Sequence, residues 1–442
     1  MTFMSDFSDF DAVIVGGGPA GASAGVHLAA AGARVLLAER ERFPREKLCG
    51  EFISPECLEH FARLGVLGRM ESAGGSPVSE TVFYAPSGRG VAVPSAWFGT
   101  VSGGGDALGL SRAEMDARLL ARAREAGAVV LEESALAGVV VEGTRVRGVR
   151  LHTADGVREV RARVTLDATG RHRAVVRRAA RELMREGRRD GLRESDEHAD
   201  AQVEGLAALT EVVRGRPRLV AFKAHLEGAR GAKGVCEIYF YPGGYGGLSP
   251  VEGGASNLCF IARARDVRAA GSDAARVVRE VLMRNRRAAL TLAGAEARTR
   301  WLGVSVESFG RHEPAPFEGL LAVGDAAAFI DPFTGSGMLM ALEGGELAAR
   351  AVAGWLARGG EDLARGSQNV NTYASLAREY RAAYAARFDS RLRLCGLLRR
   401  AALAPTALAE LSVLALGASD ALRRRLARAT RGGEGSCQRS LF

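Results

Sequence analysis

The chain has 442 residues, 47% hydrophobic and 25% charged, a balance typical of a globular protein with enough chain for two to three structural units. Its net charge of +9 comes almost entirely from arginine, because the only lysines are Lys47, Lys223 and Lys233. No basic patch is interleaved with aromatic residues, so the charge favours a solvated surface over nucleic-acid binding.

The cysteines and the N-terminus indicate a cytoplasmic protein. Six cysteines are scattered without CxxC or Cys/His ligand spacing, which predicts reduced thiols and no metal site. The first ten residues are acidic and lack a basic-then-apolar export pattern. The sequence contains no run of 20 apolar residues, so no membrane span is predicted.

Residues 11–40 predict a strand, a glycine turn, a helix and a second strand. Gly16, Gly18 and Gly21 have the GxGxxG spacing at the end of the first strand, where they permit a sharp turn, close approach of a pyrophosphate and tight helix–strand packing. Glu39 ends the second strand, where its carboxylate can accept hydrogen bonds from both ribose hydroxyls. This unit therefore predicts a bound adenine dinucleotide.

The middle of the chain alternates strand and helix patterns. Ser111 to Ala126 opens with a Ser-x-x-Glu capping box and predicts an amphipathic helix. Val129 to Leu151 has the alternation of a three-stranded meander, and the strand at Arg163 to Leu166 ends in Asp167-Ala168-Thr169-Gly170. Residues 219–262 return to strand patterns, with two strands joined by a glycine- and tyrosine-rich loop at 239–247.

Two segments admit alternative interpretations. Residues 177–218 are crowded with charge and predict either a surface helical pair or a mobile excursion. The tail from Tyr380 is almost wholly helical in propensity, with a low-charge stretch at 401–419 between arginine clusters. A packed helical hairpin is favoured there over a membrane-surface anchor, which the arginines would also suit.

A second strand-to-helix turn follows the apolar strand at Leu320 to Val323. Gly324-Asp325 stands at this turn, where the aspartate can bind a sugar or ribityl hydroxyl. Downstream, residues 331–338 place backbone N–H groups at another helix start, where they can stabilise negative charge on a reduced flavin ring.

These motifs together resemble the FAD-dependent oxidoreductases of the p-hydroxybenzoate hydroxylase fold. The segment at 44–51, Pro-Arg-Glu-Lys-Leu-Cys-Gly-Glu, and the loop at 239–248 are similar to the geranylgeranyl reductase branch of that superfamily. The resemblance covers roughly residues 10 to 385, apart from 177–218. It implies an α/β fold with α+β elements: a Rossmann-type FAD-binding domain, an inserted antiparallel-sheet substrate domain and a helical C-terminal tail.

The domain boundaries expected from this resemblance are discontinuous. The FAD-binding domain would comprise 9–81, 106–176 and 311–385, and the substrate domain 82–105 and 219–310. The charged insertion would span 177–218, and the C-terminal helical region 386–442.

The resemblance also assigns the cofactor residues. Predicted FAD contacts come from the two glycine turns, the acid after the second strand, the helix opened at Ser111, the Asp-Ala-Thr-Gly turn and the turn bordering the flavin ring. They are Gly16, Gly18, Pro19, Ala20, Gly21, Glu39, Arg40, Arg112, Asp167, Gly170, Gly324, Asp325, Pro332, Gly335, Ser336 and Gly337. The chain has no second glycine fingerprint, so NAD(P)H is expected to bind only transiently as the reductant.

The turn at 47–51 and the tyrosine loop are the candidates for chemistry. Cys49 or Glu51 could donate the proton that completes reduction of a C=C bond, although an inert packed cysteine is the commoner case. The loop residues Tyr239, Tyr241, Pro242 and Tyr245 could line a hydrophobic substrate pocket or form an aromatic hairpin core, and the pocket is favoured. His225, on the strand before the loop, is predicted to be structural.

The leading functional hypothesis is an FAD-dependent oxidoreductase that reduces C=C bonds of a hydrophobic, isoprenoid-like small molecule, using NAD(P)H or another donor. The first alternative is a monooxygenase that hydroxylates an aromatic or polyketide substrate on the same fold. An alternative of another class is a non-catalytic FAD-binding protein. No nucleic-acid partner is expected, and peripheral membrane contact would involve the C-terminal helices.

Overall fold

The computed structural model describes residues 10–98, 105–189, 219–306, 309–360, 372–403 and 406–430. Its strands are β1 (Phe10–Val15), β2 (Val35–Ala38), β3 (Phe52–Ile53), β4 (Ser76–Val78), β5 (Glu80–Tyr84), β6 (Gly90–Pro94), β7 (Ala107–Gly109), β8 (Val129–Leu131), β9 (Ala135–Glu142), β10 (Arg145–Thr153), β11 (Gly156–Asp167), β12 (Leu219–Glu227), β13 (Val235–Tyr241), β14 (Gly244–Pro250), β15 (Ser256–Arg263), β16 (Glu296–Ala297), β17 (Leu302–Val306), β18 (Gly310–Arg311), β19 (Leu320–Ala322) and β20 (Ala328–Phe329). Its α-helices are α1 (Pro19–Ala30), α2 (Pro55–Leu64), α3 (Leu67–Glu71), α4 (Arg112–Glu125), α5 (Ala174–Arg189), α6 (Ala264–Ala269), α7 (Ala274–Glu280), α8 (Arg286–Thr291), α9 (Gly337–Ala357), α10 (Tyr373–Ala402), α11 (Thr406–Gly417) and α12 (Asp420–Ala429).

The first sheet is the cofactor-side sheet, with strand order β8-β2-β1-β11-β10-β9 and β19 beside β11. Strands β8, β2, β1, β11 and β19 pair in parallel. Strands β1, β2 and β19 and the second half of β11 are almost wholly buried, as expected where both faces of a parallel sheet are covered. Strands β9 and β10 form an antiparallel hairpin that extends along the first half of β11.

The predicted three-stranded meander over 129–151 is therefore wrong in one strand. Strand β8 pairs in parallel with β2, with Val129 opposite Leu36, and only β9 and β10 belong to the hairpin. Residues 132–134 separate β8 from β9. The alternating pattern alone does not reveal to which neighbour a short strand pairs.

Helices α1 and α9 pack backbone to backbone on the first sheet. A Cβ atom on Gly345 would collide with the carbonyl oxygen of Ala20, so glycine permits this approach. The Ser23 hydroxyl donates to the carbonyl of Leu342 at 2.9 Å. This contact unites the two glycine-rich parts of the chain in one cofactor-side core.

The second sheet is antiparallel except for the parallel β13–β5 pair, with strand order β16-β12-β15-β14-β13-β5-β6 and β17 beside β12. One face packs against helices α6 to α8 around Phe260, Leu258 and Val277. The other face, toward the C-terminal helices, carries Phe240, Tyr245 and Ile261. Strand alternation places successive side chains on opposite faces.

The described part of the tail is helical, as predicted. Helix α10 packs on α9 through a core that includes Tyr380, Tyr384 and Phe388. Helices α11 and α12 pack against the β6 edge of the second sheet. None of the helices in the described ranges is long and apolar enough to cross a bilayer.

The charged segment at 177–218 is described only as far as residue 189, where it continues helix α5. The prediction for residues 190–218 lies outside the described residues, as does that for the last twelve residues of the tail. Residues 80–94 and 219–306 supply all the strands of the second sheet.

Candidate functional site

The first glycine turn is shaped by backbone contacts that only glycine permits. Gly16 has φ +111°, and a Cβ atom there would collide with the carbonyl of Ala168; one on Gly21 would collide with the carbonyl of Gly16. Gly18 differs, because the nearest atoms to its Cβ position are the Nη2 atoms of Arg112 and Arg45, at 3.8 and 3.9 Å. Gly18 thus faces open space between two guanidinium groups.

Glu39 is buried at the end of β2 beside this turn. Its Oε2 accepts a hydrogen bond from Gly17 N at 2.8 Å, and its Oε1 accepts one from Glu41 N at 3.1 Å. Pro19 and Ala20 are buried in the first turn of α1, whereas Arg40 is exposed. The carboxylate is therefore held at the place where the fingerprint expects a ribose.

A cluster of cations surrounds the open space at Gly18. Asp116 holds both Arg112, with bonds of 2.8 and 2.6 Å, and Arg45, at 3.1 Å. Lys47 lies near both arginines at the open side of the cluster, where its side chain remains exposed. Its pKa is lowered to about 8 by partial loss of hydration and then by the positive charges of Arg112, Arg45 and Arg40. Arg45 also lies 3.8 Å from Glu39, whereas the charges that act most strongly on Lys47 are positive.

These features fit the pyrophosphate of a dinucleotide. The N-terminus of α1 points backbone N–H groups and its positive dipole end at an anion, and Gly18 leaves room for it. The excess positive charge around Lys47 would be neutralised by the two phosphates. The residues that would hold the dinucleotide are those of the turn at 16–21 together with Glu39, Arg45, Lys47 and Arg112.

Asp167 and Gly170 form the turn after β11. Both oxygens of the buried Asp167 are used within the chain: Oδ1 accepts from Thr169 N at 2.9 Å and from its hydroxyl at 2.6 Å, and Oδ2 accepts from Val176 N at 3.0 Å. Burial raises the pKa of this carboxyl group. Gly170, with φ +74°, opens a short 3-10 helix. In this arrangement Asp167 shapes the turn that contacts Gly16.

The second glycine turn lies directly against the first. Gly324 has φ +58°, and its Cβ position is 2.8 Å from Cβ of Ala20. Burial raises the pKa of Asp325, and Arg112 and Lys47 oppose that shift. The structure therefore brings Asp325 to the same cation cluster, although 300 residues separate it from the first turn.

The turn at 332–337 precedes helix α9 and is held by the C-terminal helices. Ser336 is buried at the helix N-terminus and donates to the carbonyl of Thr430 at 3.2 Å. The buried Asp331 accepts hydrogen bonds from Phe333 N at 3.0 Å and from the Tyr245 hydroxyl, and it pairs with Arg399 at 3.2 Å. The backbone of Pro332 opens the turn. Gly335 follows with φ +62°, and Gly337 begins the helix.

Glu51 is fully buried at the end of the turn at 47–51, with φ +54°. Its Oε1 accepts from the backbone N of Arg112 at 2.9 Å and from Lys223 Nζ at 2.7 Å, and its Oε2 pairs with His225 Nε2 at 2.6 Å. Lys223 also bonds Glu46. The carboxylate thus ties this turn to α4 on one side and to β12 on the other.

Cys49 occupies the partly exposed middle of the same turn. Its carbonyl accepts from Asn257 Nδ2 at 3.0 Å, and its side chain lies within hydrogen-bonding reach of the Arg112 guanidinium. Asn257 is buried on β15. The thiol therefore lies between the cation cluster and the second sheet.

The predicted substrate loop is a tight hairpin. Tyr239 and Tyr241 belong to β13 and Tyr245 to β14, so only Pro242, which is exposed, and Gly243 form the turn. Tyr239 and Tyr241 are buried on the face that packs against α6 to α8. Tyr241 donates to the carbonyls of Tyr245 and Ile261, at 2.9 Å each.

The structure therefore does not bring the four loop residues together. Tyr239 and Tyr241 take the aromatic-core alternative, because alternation along β13 directs them away from the face that carries Phe240. Tyr245 alone lies on that face, with its ring 5.4 Å from that of Phe333. Around it is an apolar wall, which we define as the cluster of Leu48, Phe83, Phe240, Tyr245, Ile261, Phe329, Phe333, Ala409 and Val413.

Sequence reasoning did not assign Arg45 and Lys47 to the cofactor, and around Glu51 and Cys49 it gave no role to Lys223 or Asn257. Lys223 stands two positions before His225, so both point from the same face of β12 to Glu51. A lysine and a histidine at this spacing in an apolar strand could have signalled a buried acid partner.

Oxygen and nitrogen atoms of Glu46, Glu51 and His225 lie within 4.8 Å of one another. The ammonium group of Lys223 bonds both glutamates. The positive charge that balances these carboxylates is therefore supplied by Lys223.

The fold and these motifs match known proteins. The FAD-binding domain family matches residues 9–364. Digeranylgeranylglycerophospholipid reductase 2 of Methanopyrus kandleri is 30% identical over 347 residues, which cover 78% of this chain and 77% of the relative. The menaquinone reductase of Mycobacterium tuberculosis is 32% identical over 187 residues, 41% of this chain and 43% of the relative.

Among solved structures, a geranylgeranyl bacteriochlorophyll reductase-like protein of Thermoplasma acidophilum superimposes with a TM-score of 0.72 over 96% of both chains, at 20% identity. A triple mutant of a flavin-dependent brominase gives 0.69 over 96% of this chain and 95% of the other, also at 20% identity. At these low identities, the superpositions establish a shared fold only. The reaction has to be argued from the site.

Proposed function

The chain belongs to the FAD-binding domain family, as an FAD-dependent oxidoreductase of the geranylgeranyl reductase-like branch, and from that premise we propose that it reduces C=C bonds of a hydrophobic, isoprenoid-like substrate. The curated relatives matched over more than three quarters of this chain are named as digeranylgeranylglycerophospholipid reductases. Their names support this substrate class.

The observation that carries the proposal is the place of Cys49. Its thiol lies beside Arg112 of the cation cluster, which fits the FAD pyrophosphate, and near Cys259 on β15, two residues before Ile261 of the apolar wall. Leu48, the residue before it, is itself part of that wall. A proton donor at such a junction suits an alkene that is held by apolar contacts alone.

The chemistry is divided between cofactor and protein. FAD held by the turn at 16–21 and the cation cluster would, once reduced, supply the hydride for one alkene carbon. Cys49 donates its thiol proton to the other carbon, and the Arg112 guanidinium stabilises the thiolate that remains until solvent returns a proton. Arg112 is itself held by Asp116, so its position does not depend on the state of the thiol.

Glu51 takes a different role in this scheme. Both of its oxygens already accept or share hydrogen bonds with Arg112 N, Lys223 and His225. It is placed to hold the turn that presents Cys49, so we assign it as a positioning residue. Asn257 acts in the same way through the Cys49 carbonyl.

We further propose NAD(P)H as the transient reductant. The support is that the sequence holds one dinucleotide fingerprint, which we assign to FAD. Anaerobic mixing of the holoenzyme with NADH or NADPH should bleach the flavin absorbance in the stopped flow. Flavin that stays oxidised with both, yet is reduced by dithionite, would assign the role to another donor.

The reaction is tested with chemically reduced holoenzyme and geranylgeranyl lipids under anaerobic conditions. We expect flavin reoxidation together with products heavier by two hydrogens per double bond, detected by mass spectrometry. Products heavier by one oxygen and formed only in air would instead establish the monooxygenase. A protein that binds FAD but turns over no reductant would be the non-catalytic alternative.

Cys49→Ser provides the residue-level test. We expect flavin reoxidation by substrate to slow by about a hundredfold, the range in which a positioned proton donor acts, with unchanged FAD content. Cys57→Ser is the matched control, because this thiol is buried in the cofactor-side core. Equal rates for both variants would remove Cys49 from the mechanism.

A further inference from the structure

Helix α11 has apolar side chains on both its inner and its outer face. Its inner side chains Ala409 and Val413 are buried in the apolar wall. Its outer side chains Leu408, Leu411 and Leu414 are 50%, 59% and 52% exposed. A helix on the surface of a globular protein ordinarily turns charged or polar residues outward.

The outer face of α11 is also free of charge. The one charged residue between 406 and 417 is Glu410, whose carboxylate accepts hydrogen bonds from the backbone N and hydroxyl of Ser87 at 2.7 and 2.8 Å. Within the described residues, five of the seven exposed large hydrophobic side chains lie between Leu397 and Leu422. Such a concentration marks an interaction surface rather than scattered exposure.

The helix that follows carries the complementary charge. Helix α12 contains four arginines against one aspartate, Asp420, which pairs with Arg423. Arg424, Arg425 and Arg428 are exposed and line one shallow depression. The half-buried Trp97 lies beneath Arg423 and Arg424, whose guanidinium carbons are 5.5 and 5.1 Å from the ring centroid.

We infer that α11 and α12 together form a docking surface for an anionic lipid bilayer. Leu408, Leu411 and Leu414 enter the boundary between headgroups and acyl chains, and the three exposed arginines contact lipid phosphates. Uncharged leucines beside a cluster of arginines are the composition of an interfacial helix, and tryptophan is enriched at the same depth. A water-soluble partner protein would explain the leucines but not the accumulated positive charge.

Docking by this face would give α11 two environments. Its outer side would contact lipid while its inner side contacts the apolar wall around Tyr245 and Phe333. A hydrophobic substrate could then pass from the bilayer to the wall without crossing water. The docking itself does not depend on which reaction the site performs.

The test uses the full-length holoenzyme and vesicle flotation. We expect binding to vesicles of phosphatidylcholine with phosphatidylglycerol, weaker binding to pure phosphatidylcholine, and a loss of the difference at high salt. No binding to the anionic vesicles at low salt would overturn the inference. Because flotation is scored without turnover, failure here leaves the proposed reaction untouched, and failure of the reaction leaves this result standing.

Variants assign the binding to the two helices. Leu408→Gln/Leu411→Gln/Leu414→Gln should lower partitioning into both vesicle types by about tenfold or more. Arg424→Gln/Arg425→Gln/Arg428→Gln should lower it by about tenfold or more on anionic vesicles only. The control is Leu290→Gln, since this leucine on α8 is 68% exposed, more than any of the three on α11.

FAD absorbance and thermal unfolding verify that each variant is folded. A leucine variant that binds vesicles as well as Leu290→Gln would overturn the inference. So would a leucine variant that changes the sedimenting species from dimer to monomer while vesicle binding persists, because the face would then join two copies of this chain.

Discussion

Two turns meet at the candidate site, and they are held in opposite ways. The turn at 16–21 is shaped by carbonyl groups that approach the α-carbons of Gly16 and Gly21 too closely for any side chain. The turn at 47–51 is held by buried charged groups, with Glu51 at the centre of bonds to α4 and β12. The first turn depends on the absence of side chains. The second turn depends on hydrogen bonds and ion pairs between buried side chains.

This difference predicts which substitutions should disrupt each turn. A steric turn tolerates no added atom at its contact positions, Gly16 and Gly21, but its stability is indifferent to charge and pH. A charged turn tolerates changes of volume but not the loss of one partner, because a buried ion left without its counter-ion is costly.

The largest effect is expected from Gly21→Ala, because its Cβ atom would overlap the Gly16 carbonyl oxygen. The variant should lose about 3 kcal/mol or more of unfolding free energy, as severe overpacking does, measured by denaturant unfolding of the FAD-free protein. Gly18→Ala is the control, since its Cβ would meet open space and its backbone is extended. That variant should unfold like the wild type yet bind FAD about a hundredfold more weakly, because the methyl group occupies the phosphate position. Equal stability losses in both would contradict the steric account.

Glu51→Gln should be the next largest, with a loss of about 3 kcal/mol, because the buried Lys223 would keep only the partly exposed Glu46 as its counter-charge. Replacing Lys223 with Met in the same chain should restore part of that loss, and a double-mutant cycle in denaturant measures the coupling. Additive effects of the two substitutions would show that the turn is not held by this ion pair.

The pH dependence of FAD affinity should distinguish the cation cluster from the steric turn. The pKa of Lys47 is lowered to about 8 in the free protein, and the bound pyrophosphate raises it. FAD binding therefore takes up a proton above pH 8, so affinity is constant below that value and falls as pH rises, by at most about tenfold per pH unit. Lys47→Gln should abolish this fall, and the exposed Lys233→Gln should keep it, in titrations followed by flavin fluorescence. A pH-independent affinity in the wild type would remove Lys47 from the phosphate site.

The smallest effect is expected from Asn257→Ala, which removes the donor to the Cys49 carbonyl. The loss should be about 1 kcal/mol of unfolding free energy, the usual value of a net hydrogen bond. If Asn257 positions Cys49, the variant should also lower kcat for substrate reduction by about tenfold with KM unchanged. A stability loss with kcat unchanged would limit Asn257 to a structural role.

Much of the fold, including the glycine turns to which the cofactor residues are assigned, could be predicted because its determinants are local. The strand, glycine turn, helix and acid that form the first unit lie within 30 residues, and each follows from backbone geometry. Glu51 is different, because its partners Lys223 and His225 stand 172 and 174 positions away. No local pattern says which strand will face a given turn.

The tyrosine hairpin shows a second limit. Its glycines indicate a loop, but in β14 they permit close packing: a Cβ atom on Gly244 would collide with the carbonyl of Ile261, and one on Gly246 would crowd Phe260. Glycine in a strand can mark close approach of neighbouring groups as well as a turn. The sequence does not separate these two uses.

The contact between α1 and α9 has a consequence for folding during synthesis of the chain. The bond from Ser23 to Leu342 spans 319 residues, and β1 pairs with β11, which pairs with β19. On the ribosome the first glycine turn is therefore complete in sequence long before its supporting helix has been synthesised. Until residues near 345 emerge, the nascent chain presents an apolar helix face and an unpaired strand edge, which are surfaces that chaperones bind. We therefore expect FAD to bind only after almost the whole chain has been synthesised.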